Sequence, residues 1–599
     1  MISKINNNNR KGSLFAKLIS LSFIIYTLAF SVACSDFLEI KSQSEIVLED
    51  FWSEKADVDN IVAGCYSRLQ ASDCIHRMIV WGEARSENVM AGTNINNNID
   101  LQNVLKENIT TKNSFTAWDC FYNVINRCNT VIKYAPGVAE SDPGYTQGEL
   151  KATIAEVSAL RDLCYFYLIR TFRNVPYSTV AYTDDDQVMD LPPTKFEDVL
   201  DSLITDLESV KSQAIRRYPT TKPLYQTGRI TQDAIYAMLC EMYLWKKDYA
   251  KCKEYADLII ESKRELLKEQ LGTSFSGGSF GSTSSSNDSR FNNFPLISDQ
   301  ISGKFFGNAY QELFGQGNTQ ETIFELIYDD DAAGAGMIAN TTISSLYGSS
   351  DKGRGFLAPS TAVINDVAAS SQRSIFDDSN KKMDARMWEN LDNEEGYINK
   401  FVYRSVTVDA SNSTPKATRS SNQSFDRNSS NWIIYRLTDI MLLKAEALAQ
   451  ELLEGSDDDV VAHNAPILQE AFWLVNAVNK RSVCEYPLID TLVAANYNSK
   501  SRMEELVMRE RQRELMFEGK RWYDLVRRSM RDGNTDVITA AASKRESINS
   551  QYVQSFFGSK TNGMYAIFWP YNDEETKVNL NLAAAQNPAF GNGESSIKK

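Results

Sequence analysis

The chain has 599 residues, of which 43% are hydrophobic and 24% are charged, so it is long enough to bury a large core. Its formal net charge of −15 argues against nucleic acid as a partner, because the phosphates would need a basic face. After residue 33 no stretch approaches the ~20 apolar residues of a membrane-spanning helix, so the mature chain is predicted not to cross a membrane.

The first 33 residues predict a signal peptide. Four basic and no acidic residues precede the apolar stretch Leu18 to Ala33. This stretch is shorter than the ~20 residues that a membrane-spanning helix needs. Small residues then lead straight into Cys34, a pattern typical of a bacterial lipobox. We therefore expect cleavage before Cys34 and lipid attachment to it, with two or more acyl chains for a stable hold. The alternative is an ordinary secretory signal that a cysteine follows by chance.

Helical periodicity dominates the rest of the chain. From Glu149 to Phe172, and again from Arg229 to Trp245, apolar residues recur at helical spacing. The polar turn Lys247 to Tyr249 then leads directly into a further helix, as in a tetratricopeptide-like hairpin. Similar helices are predicted at Thr116 to Tyr134, Thr194 to Gln213, Trp432 to Gln450, Leu468 to Lys480 and Arg502 to Arg528. The predicted fold is mainly α: a tetratricopeptide-like helical-hairpin scaffold (an α-α superhelix) with long irregular loops and a small ligand-binding subregion.

Two regions interrupt this helical pattern and suggest the domain organisation. Residues 272–293 are rich in Gly, Ser and Asn, which predicts a surface loop, and about 329–431 mix such residues with short apolar runs. We expect one domain over residues 34–599. Its helical scaffold covers about 45–265 and 430–530, its loop-rich ligand side covers about 270–430, and a C-terminal tail covers 531–599.

Motifs for catalysis or metal binding are weak. Gly277 to Gly281 fits the GxSxG pattern, but it lies in low-complexity sequence without the strand that a nucleophile elbow needs, so we interpret it as chance. With only His76 and His463, a zinc site has few candidate ligands, and the eight cysteines after Cys34 form no CxxC pair. We predict no enzymatic activity, no cofactor and no metal, and we interpret these cysteines as free or buried thiols.

The densest charged segment runs from Glu504 to Arg528. Opposite charges recur there at spacings of three and four, which places them within reach of one another on one helical face. One interpretation is a site for carboxylates or sugar acids. We favour a buried ion-pair lattice, because large apolar residues are interleaved with the charges. The predicted lattice residues are Glu510, Arg511, Glu514, Glu518, Arg521 and Asp524.

Aromatic and amide side chains in the irregular segments suggest a ligand-binding face. Sugars stack on aromatic rings, while amides and charged groups bind the hydroxyls. The candidate ligand contacts are Asn94, Phe305, Tyr310, Tyr347 and Trp388, with Phe306 and Phe356 as further aromatics. For any one of them, core packing or an ordinary surface position is the alternative.

With these motifs together, the chain resembles the SusD/RagB family of surface nutrient-binding lipoproteins of Bacteroidetes. Residues 35–39, SDFLE, resemble the family's acidic export signal. WGEARSENVM resembles its "geirsDn" segment, with Glu87 in place of the usual Asp. The helix that ends in RTFRNVPY matches with Asp162 for Ala and Arg173 for Gly. The most specific match is RERQRELMFEGKRWYDLVRR, Arg509 to Arg528, and the final NLNLAAAQNPAF agrees too, although a preceding proline is displaced.

This resemblance implies a helical fold and a lipid-anchored position on the outer membrane, facing the cell exterior. It implies a SusC-like TonB-dependent transporter as partner and an oligosaccharide as ligand, with capture and delivery for import but no catalysis. Two alternatives remain: a structural accessory lid of the transporter, or a binder of a non-sugar nutrient such as peptide. No ligand residue is carried over from the family, since these vary among its members.

Overall fold

The computed structural model describes residues 51–184, 186–274, 291, 293–329, 339–363, 375–376, 384–392, 395–412, 415–420, 423–485 and 491–590. The predicted signal peptide, Cys34 and the GxSxG match at Gly277 to Gly281 lie outside these residues.

The fold is mainly α, as predicted. The longer helices are α1 (Lys55–Leu69), α2 (Ser72–Ile79), α4 (Asp119–Ser141), α5 (Gln147–Phe172), α6 (Phe196–Val210), α8 (Gln232–Lys246), α9 (Tyr249–Ser274), α13 (Leu437–Glu451), α14 (Asp458–Arg481), α15 (Lys500–Leu515) and α16 (Arg521–Asp532). The shorter ones are α3 (Ile99–Leu105), α7 (Tyr225–Gly228), α10 (Asn308–Tyr310), α11 (Thr341–Leu346), α12 (Arg386–Glu389), α17 (Asp536–Ala542), α18 (Ser550–Phe556), α19 (Gly563–Ala566), α20 (Asp573–Val578) and α21 (Leu580–Ala584).

Consecutive long helices pack as hairpins. α4 packs on α5, α8 on α9 and α13 on α14, and α9 also packs on α13, which joins successive pairs. Helix α5 begins with a capping box in which Thr146 and Glu149 satisfy each other's free amides. Every residue from Ala155 to Phe172 is buried, so α5 lies inside the stack rather than on its surface. These contacts agree with the tetratricopeptide-like arrangement predicted from the sequence.

Fourteen short strands accompany the helices among the described residues. They are β1 (Val89–Ala91), β2 (Val175–Pro176), β3 (Pro193–Thr194), β4 (Gln300–Ser302), β5 (Phe305–Phe306), β6 (Thr322–Leu326), β7 (Gly348–Ser349), β8 (Gly353–Arg354), β9 (Leu357–Pro359), β10 (Leu391–Asp392), β11 (Tyr397–Ile398), β12 (Ser405–Asp409), β13 (Lys416–Ser420) and β14 (Trp432–Arg436). The largest sheet has the order β13-β12-β5-β4. Strands β4 to β13 fall in the region predicted to be loop-rich.

Two predicted helices are corrected by the structure. The first five residues of the predicted helix Trp432 to Gln450 form strand β14, because this run of β-branched and aromatic residues is buried on both faces and pairs with β6. The predicted helix Arg502 to Arg528 is two helices, α15 and α16. The chain turns between them at Phe517 and Gly519, whose φ angles are +66° and +67°.

Residues 531–590, expected as a tail, carry five short helices, α17 to α21. This segment returns to the helical stack, where the Trp569 amide donates to the Thr171 carbonyl at 2.9 Å and the Trp569 ring is buried. No helix in the described ranges is both long and apolar enough to span a membrane. The eight cysteines after Cys34 are buried free thiols, as predicted.

Candidate functional site

The charged motif on α15 and α16 forms a buried ion-pair lattice. Glu514 lies at its centre and contacts the guanidiniums of Arg386 at 2.9 Å, Arg436 at 2.5 Å and Arg481. Glu518 binds Arg436 at 2.7 Å and Lys400 at 2.6 Å. All of these side chains are buried, so the structure supports the packing interpretation over an open site for carboxylates.

The other predicted lattice residues are also paired. Glu510 lies 2.8 Å from Arg386, and Arg511 binds Asp524 and Asp439, each at 2.9 Å. Arg521 binds Glu87 of the WGEARSEN segment at 2.6 Å, which joins two of the sequence motifs.

The guanidiniums govern the ionisation of the central carboxylate. Burial alone would raise the pKa of Glu514, but Arg481, Arg436 and Arg386 outweigh it and lower the pKa well below its ordinary value. Glu514 is therefore ionised and balanced by its partners, and it is not available to bind a ligand.

The lattice also fixes the loop-rich region to the scaffold. Arg386 belongs to α12 and Lys400 follows β11, so both lie in the loop-rich region. Their partners lie on the scaffold, Glu514 within α15 and Glu518 in the turn between α15 and α16. The Lys400 ammonium in addition donates to the backbone carbonyl of Glu514 at 2.9 Å. The surface loops around these residues are thus held by buried, charge-assisted hydrogen bonds.

A polar surface is built where strands β1, β9 and β11 come together. β1 pairs with β9, and the Gly92 amide donates to the Phe356 carbonyl at 2.8 Å just beyond that pair. β11 packs beside β9. The turns next to these strands, at residues 94–98, 351–354 and 395–397, therefore share one face. Residues 425–427 join this face through contacts of Phe425 with Asp351 and Lys352. We call these four segments together the loop surface.

The centre of the loop surface is a guanidinium stacked on a ring. The Arg354 guanidinium lies 4.5 Å from the centroid of the Tyr397 ring and 3.7 Å from the Glu395 carboxylate. The side-chain amide of Asn94 donates to the Arg354 carbonyl at 2.6 Å, which fixes the two turns to each other. An amide, a guanidinium, a carboxylate and an aromatic ring thus lie together on an exposed face. These are the groups that bind sugar hydroxyls and C–H faces.

A second cation–aromatic contact extends the loop surface. The Lys352 ammonium lies 4.3 Å from the centroid of the Phe425 ring and 3.7 Å from Asp426. The Asp351 carboxylate accepts the Phe425 amide at 2.9 Å, and this hydrogen bond lowers the pKa of Asp351. The turn between β7 and β8 is therefore held against residues 425–427.

Three of the predicted aromatics are core residues. Tyr310 is buried and its hydroxyl donates to the carbonyls of Asn399 and Tyr403, while the buried Tyr347 donates to the Phe517 carbonyl. Phe306 is also fully buried. The prediction that Tyr310 and Tyr347 contact a ligand is therefore wrong for this conformation, because both rings are packed and both hydroxyls are already used.

The remaining predicted residues do not form one group. Asn94 is exposed on the loop surface. Phe305 is exposed on β5, in the four-stranded sheet, and Trp388 is half-buried against the small cluster around Phe306 and Val408. Phe356 is half-buried and packs on the main core. Arg354 and Tyr397 were not predicted; the only sequence signal at these positions is an adjacent glycine, in GRG and EEGY.

No group of His, Cys, Asp and Glu suited to a metal ion is present among the described residues. His76 instead joins two helices: its Nδ1 contacts the Ser72 carbonyl at 2.7 Å and its Nε2 contacts the Ser345 hydroxyl at 3.0 Å.

Comparisons with known proteins agree with the fold and the motifs. A model of the SusD family matches residues 320–590, and a model described as starch-binding associating with the outer membrane matches residues 36–244. SusD-like protein P38 of Formosa agariphila is 25% identical over 531 residues, which cover 85% of this chain and 91% of that protein.

Solved structures share the fold. A SusD superfamily protein from Bacteroides thetaiotaomicron is 20% identical, with a TM-score of 0.59 over 90% of this chain and 99% of that one. Surface glycan-binding protein A of the same species, in complex with laminarihexaose, is 17% identical, with a TM-score of 0.54 over 89% of this chain and 100% of that one.

Fold and site together define a helical-repeat protein whose loop-rich region is fixed to its scaffold by one charged motif. The chain belongs to the SusD/RagB family, as its motifs indicated.

Proposed function

We propose that this protein captures an oligosaccharide at the cell surface without catalysis and delivers it to a SusC-like TonB-dependent transporter. The observation that carries the proposal is the stacked pair of Arg354 and Tyr397, with the Asn94 amide beside it and the Glu395 carboxylate in contact with the guanidinium. Binding of laminarihexaose by a structural neighbour supports a glycan as the ligand class.

The loop surface suits a sugar because its polar groups are exposed and belong to short, fixed turns. The side chains of Arg354 and Glu395 are 39% and 61% exposed, so a ligand reaches them without any unfolding. Because the turns are already held in place by the strand pair and by the lattice, little order has to be gained on binding. Phe305 and Trp388 remain predicted contacts for a ligand that extends toward the four-stranded sheet.

The anchor and the partner complete the proposal. Lipid on Cys34 would hold the protein on the outer membrane, facing the exterior, beside the transporter. Replacement of Cys34 by Ala should release the protein from the membrane fraction and remove the acyl mass from its N-terminal peptide. Retention of that variant on membranes would contradict the lipid anchor. Co-purification of the transporter from a detergent extract tests the partnership.

Calorimetric titration with laminarihexaose, followed by a panel of host and plant polysaccharides, tests the ligand. Tyr397→Ala and Arg354→Ala should each raise the Kd of the bound glycan about tenfold, since each removes a stacking or hydroxyl contact. Tyr565→Ala is the matched control, because Tyr565 is a solvent-accessible tyrosine that likewise has an arginine, Arg173, beside its ring, 5.5 Å from the centroid.

Each alternative function gives a different result. A structural lid would co-purify with the transporter but bind no member of the panel. A peptide binder would bind peptides and no glycan. If the wild type binds a glycan and both loop-surface variants bind it with the same affinity, the binding site lies on another face. Release of reducing ends by the pure protein would instead revive an enzymatic function.

A further inference from the structure

A cavity of about 600 Å³ opens between α4, the segments 176–182 and 189–191, and the C-terminal helices α20 and α21. It shares no residue with the loop surface. Aromatic side chains form much of its wall, among them Trp118, Tyr122 and Tyr165. A volume of this size accommodates a large side chain together with part of its backbone.

The uncharged polar groups of this cavity are largely occupied by intramolecular contacts. The Asn126 side chain binds both the amide and the carbonyl of Tyr182. The Tyr122 and Tyr165 hydroxyls donate to the carbonyls of Pro176 and Ser178. These contacts hold the segment 176–182 in place, so they offer little to the hydroxyls of a sugar. The surface that remains is mainly apolar.

The mouth of the cavity exposes aliphatic side chains. Met189 and Val578 line it and are 56% and 77% exposed, and their neighbours Val188 and Leu580 are 69% and 75% exposed. The two rim segments are tied together, because the side-chain amide of Asn579 donates to the Leu191 carbonyl at 2.8 Å. Exposed apolar residues that adjoin a cavity, rather than being scattered, mark an interaction surface.

The charges around the cavity have one sign. Asp119, Asp190 and Glu575 line it, and no basic residue does so among the described residues. Burial, only partly offset by the Trp118 indole, raises the pKa of Glu575, so this carboxyl lacks a cation that would compensate its desolvation. Asp119 also lies 3.5 Å from Arg77, whereas Asp190 and Glu575 form no ion pair within the described chain.

We propose that this cavity docks a segment of a partner protein that inserts an aliphatic or aromatic side chain and presents Lys or Arg beside it. The insertion covers the aliphatic rim and the aromatic wall, and the basic groups meet Asp190 and Glu575. The segment between Cys34 and Asp50 of this chain is a poorer occupant, since it carries five acidic residues and one basic residue. Like charges at the rim would oppose it.

Defined peptides test this chemistry. Acetyl-KLFLK-amide should bind the protein, acetyl-ELFLE-amide should bind at least tenfold more weakly, and acetyl-KGSGK-amide should not bind detectably. The double variant Met189→Ser with Val578→Ser should weaken KLFLK about tenfold. Both residues are exposed, so folding should be unaffected. Asp190→Asn with Glu575→Gln should remove the preference for KLFLK over ELFLE.

The control is Val461→Ser, which alters an equally exposed aliphatic residue on α14 and should leave peptide binding unchanged. Absence of KLFLK binding, equal binding of ELFLE, or full affinity in the Met189 and Val578 variant would overturn the proposal. Tighter binding of a peptide of residues 35–50 would assign the cavity to the chain's own segment, and displacement of KLFLK by laminarihexaose would assign it to glycan; each also overturns it. The proposal is independent of the glycan function, because these variants should titrate with glycan as the wild type does.

Discussion

The Arg386 guanidinium lies 2.9 Å from the Glu514 carboxylate, and this contact joins α12 of the loop-rich region to α15 of the scaffold. Both side chains are almost fully buried, so neither is compensated by water. The arrangement of the surface loops therefore depends on a charge deep inside the protein.

Glu514→Gln should destabilise the whole fold. The substitution leaves Arg386, Arg436 and Arg481 without their shared carboxylate, and breaking a buried ion pair costs about 3–5 kcal/mol. Urea unfolding followed by circular dichroism measures this loss. Glu574→Gln is the control: it alters an exposed pair with Lys577, so the unfolding midpoint should not move. Equal midpoints for the two variants would refute the central role of Glu514.

A second buried carboxyl, that of Glu325, should make the free energy of unfolding fall as the pH rises. Burial raises the pKa of Glu325 to about 7, although the Asn318 amide donates to it at 2.6 Å. The folded protein therefore holds a proton that the unfolded chain releases near pH 4.5. The stability due to this proton is fully present below pH 4.5 and is lost as the pH rises through about 7.

Glu325→Gln removes this dependence, because an amide has no proton to lose. The free energy of unfolding of the variant, relative to the wild type, should rise by roughly 2–3 kcal/mol between pH 5 and pH 8. Urea titrations at both pH values measure the difference. A constant difference between variant and wild type would show that Glu325 does not titrate in this range.

A comparison of two glycines distinguishes the cost of a close backbone contact from the cost of a left-handed backbone conformation alone. Gly519 and Gly533 have similar positive φ angles, but a Cβ on Gly519 would lie 2.9 Å from the Met78 carbonyl oxygen, whereas one on Gly533 meets nothing within 4 Å. Gly533→Ala should therefore cost about 1–2 kcal/mol, from the left-handed backbone alone. Gly519→Ala should cost clearly more, about 3 kcal/mol or more, because the clash adds to it. Similar unfolding free energies for the two variants would contradict the close contact.

The sequence predicts a helix well where the pattern of side chains within one segment is sufficient to define it. The buried run of α5 and the turn at Lys247 come from local periodicity and turn chemistry, which one segment carries by itself. The sequence does not reveal strand β14, because a short run such as WIIY is compatible with helix or strand until its partner β6 is known.

The ion-pair lattice can be predicted in part from the sequence and the loop surface cannot, because only the lattice depends on local spacing. Glu514 and its neighbours on the motif are predicted from spacing, because helical neighbours meet at three and four residues. Their partners Arg386 and Arg436 lie far away in sequence. The pair of Arg354 and Tyr397 is brought together by strands β9 and β11, so no local pattern reveals it. Tyr310 and Tyr347 were misassigned because composition alone does not distinguish a buried ring from an exposed one.

The stacked pair at the centre of the loop surface should depend on the shape of Arg354 as well as on its charge. Arg354→Lys keeps the positive charge but replaces a planar guanidinium by a compact ammonium, which neither stacks on Tyr397 nor presents donors in a fixed fork. If the proposed glycan site is correct, the Kd of the bound oligosaccharide should rise severalfold in Arg354→Lys and further in Arg354→Ala. Calorimetry on both variants measures this order. If the two lose the same affinity, the guanidinium plane matters and charge does not; if Arg354→Lys binds as the wild type does, stacking on Tyr397 is not part of the site.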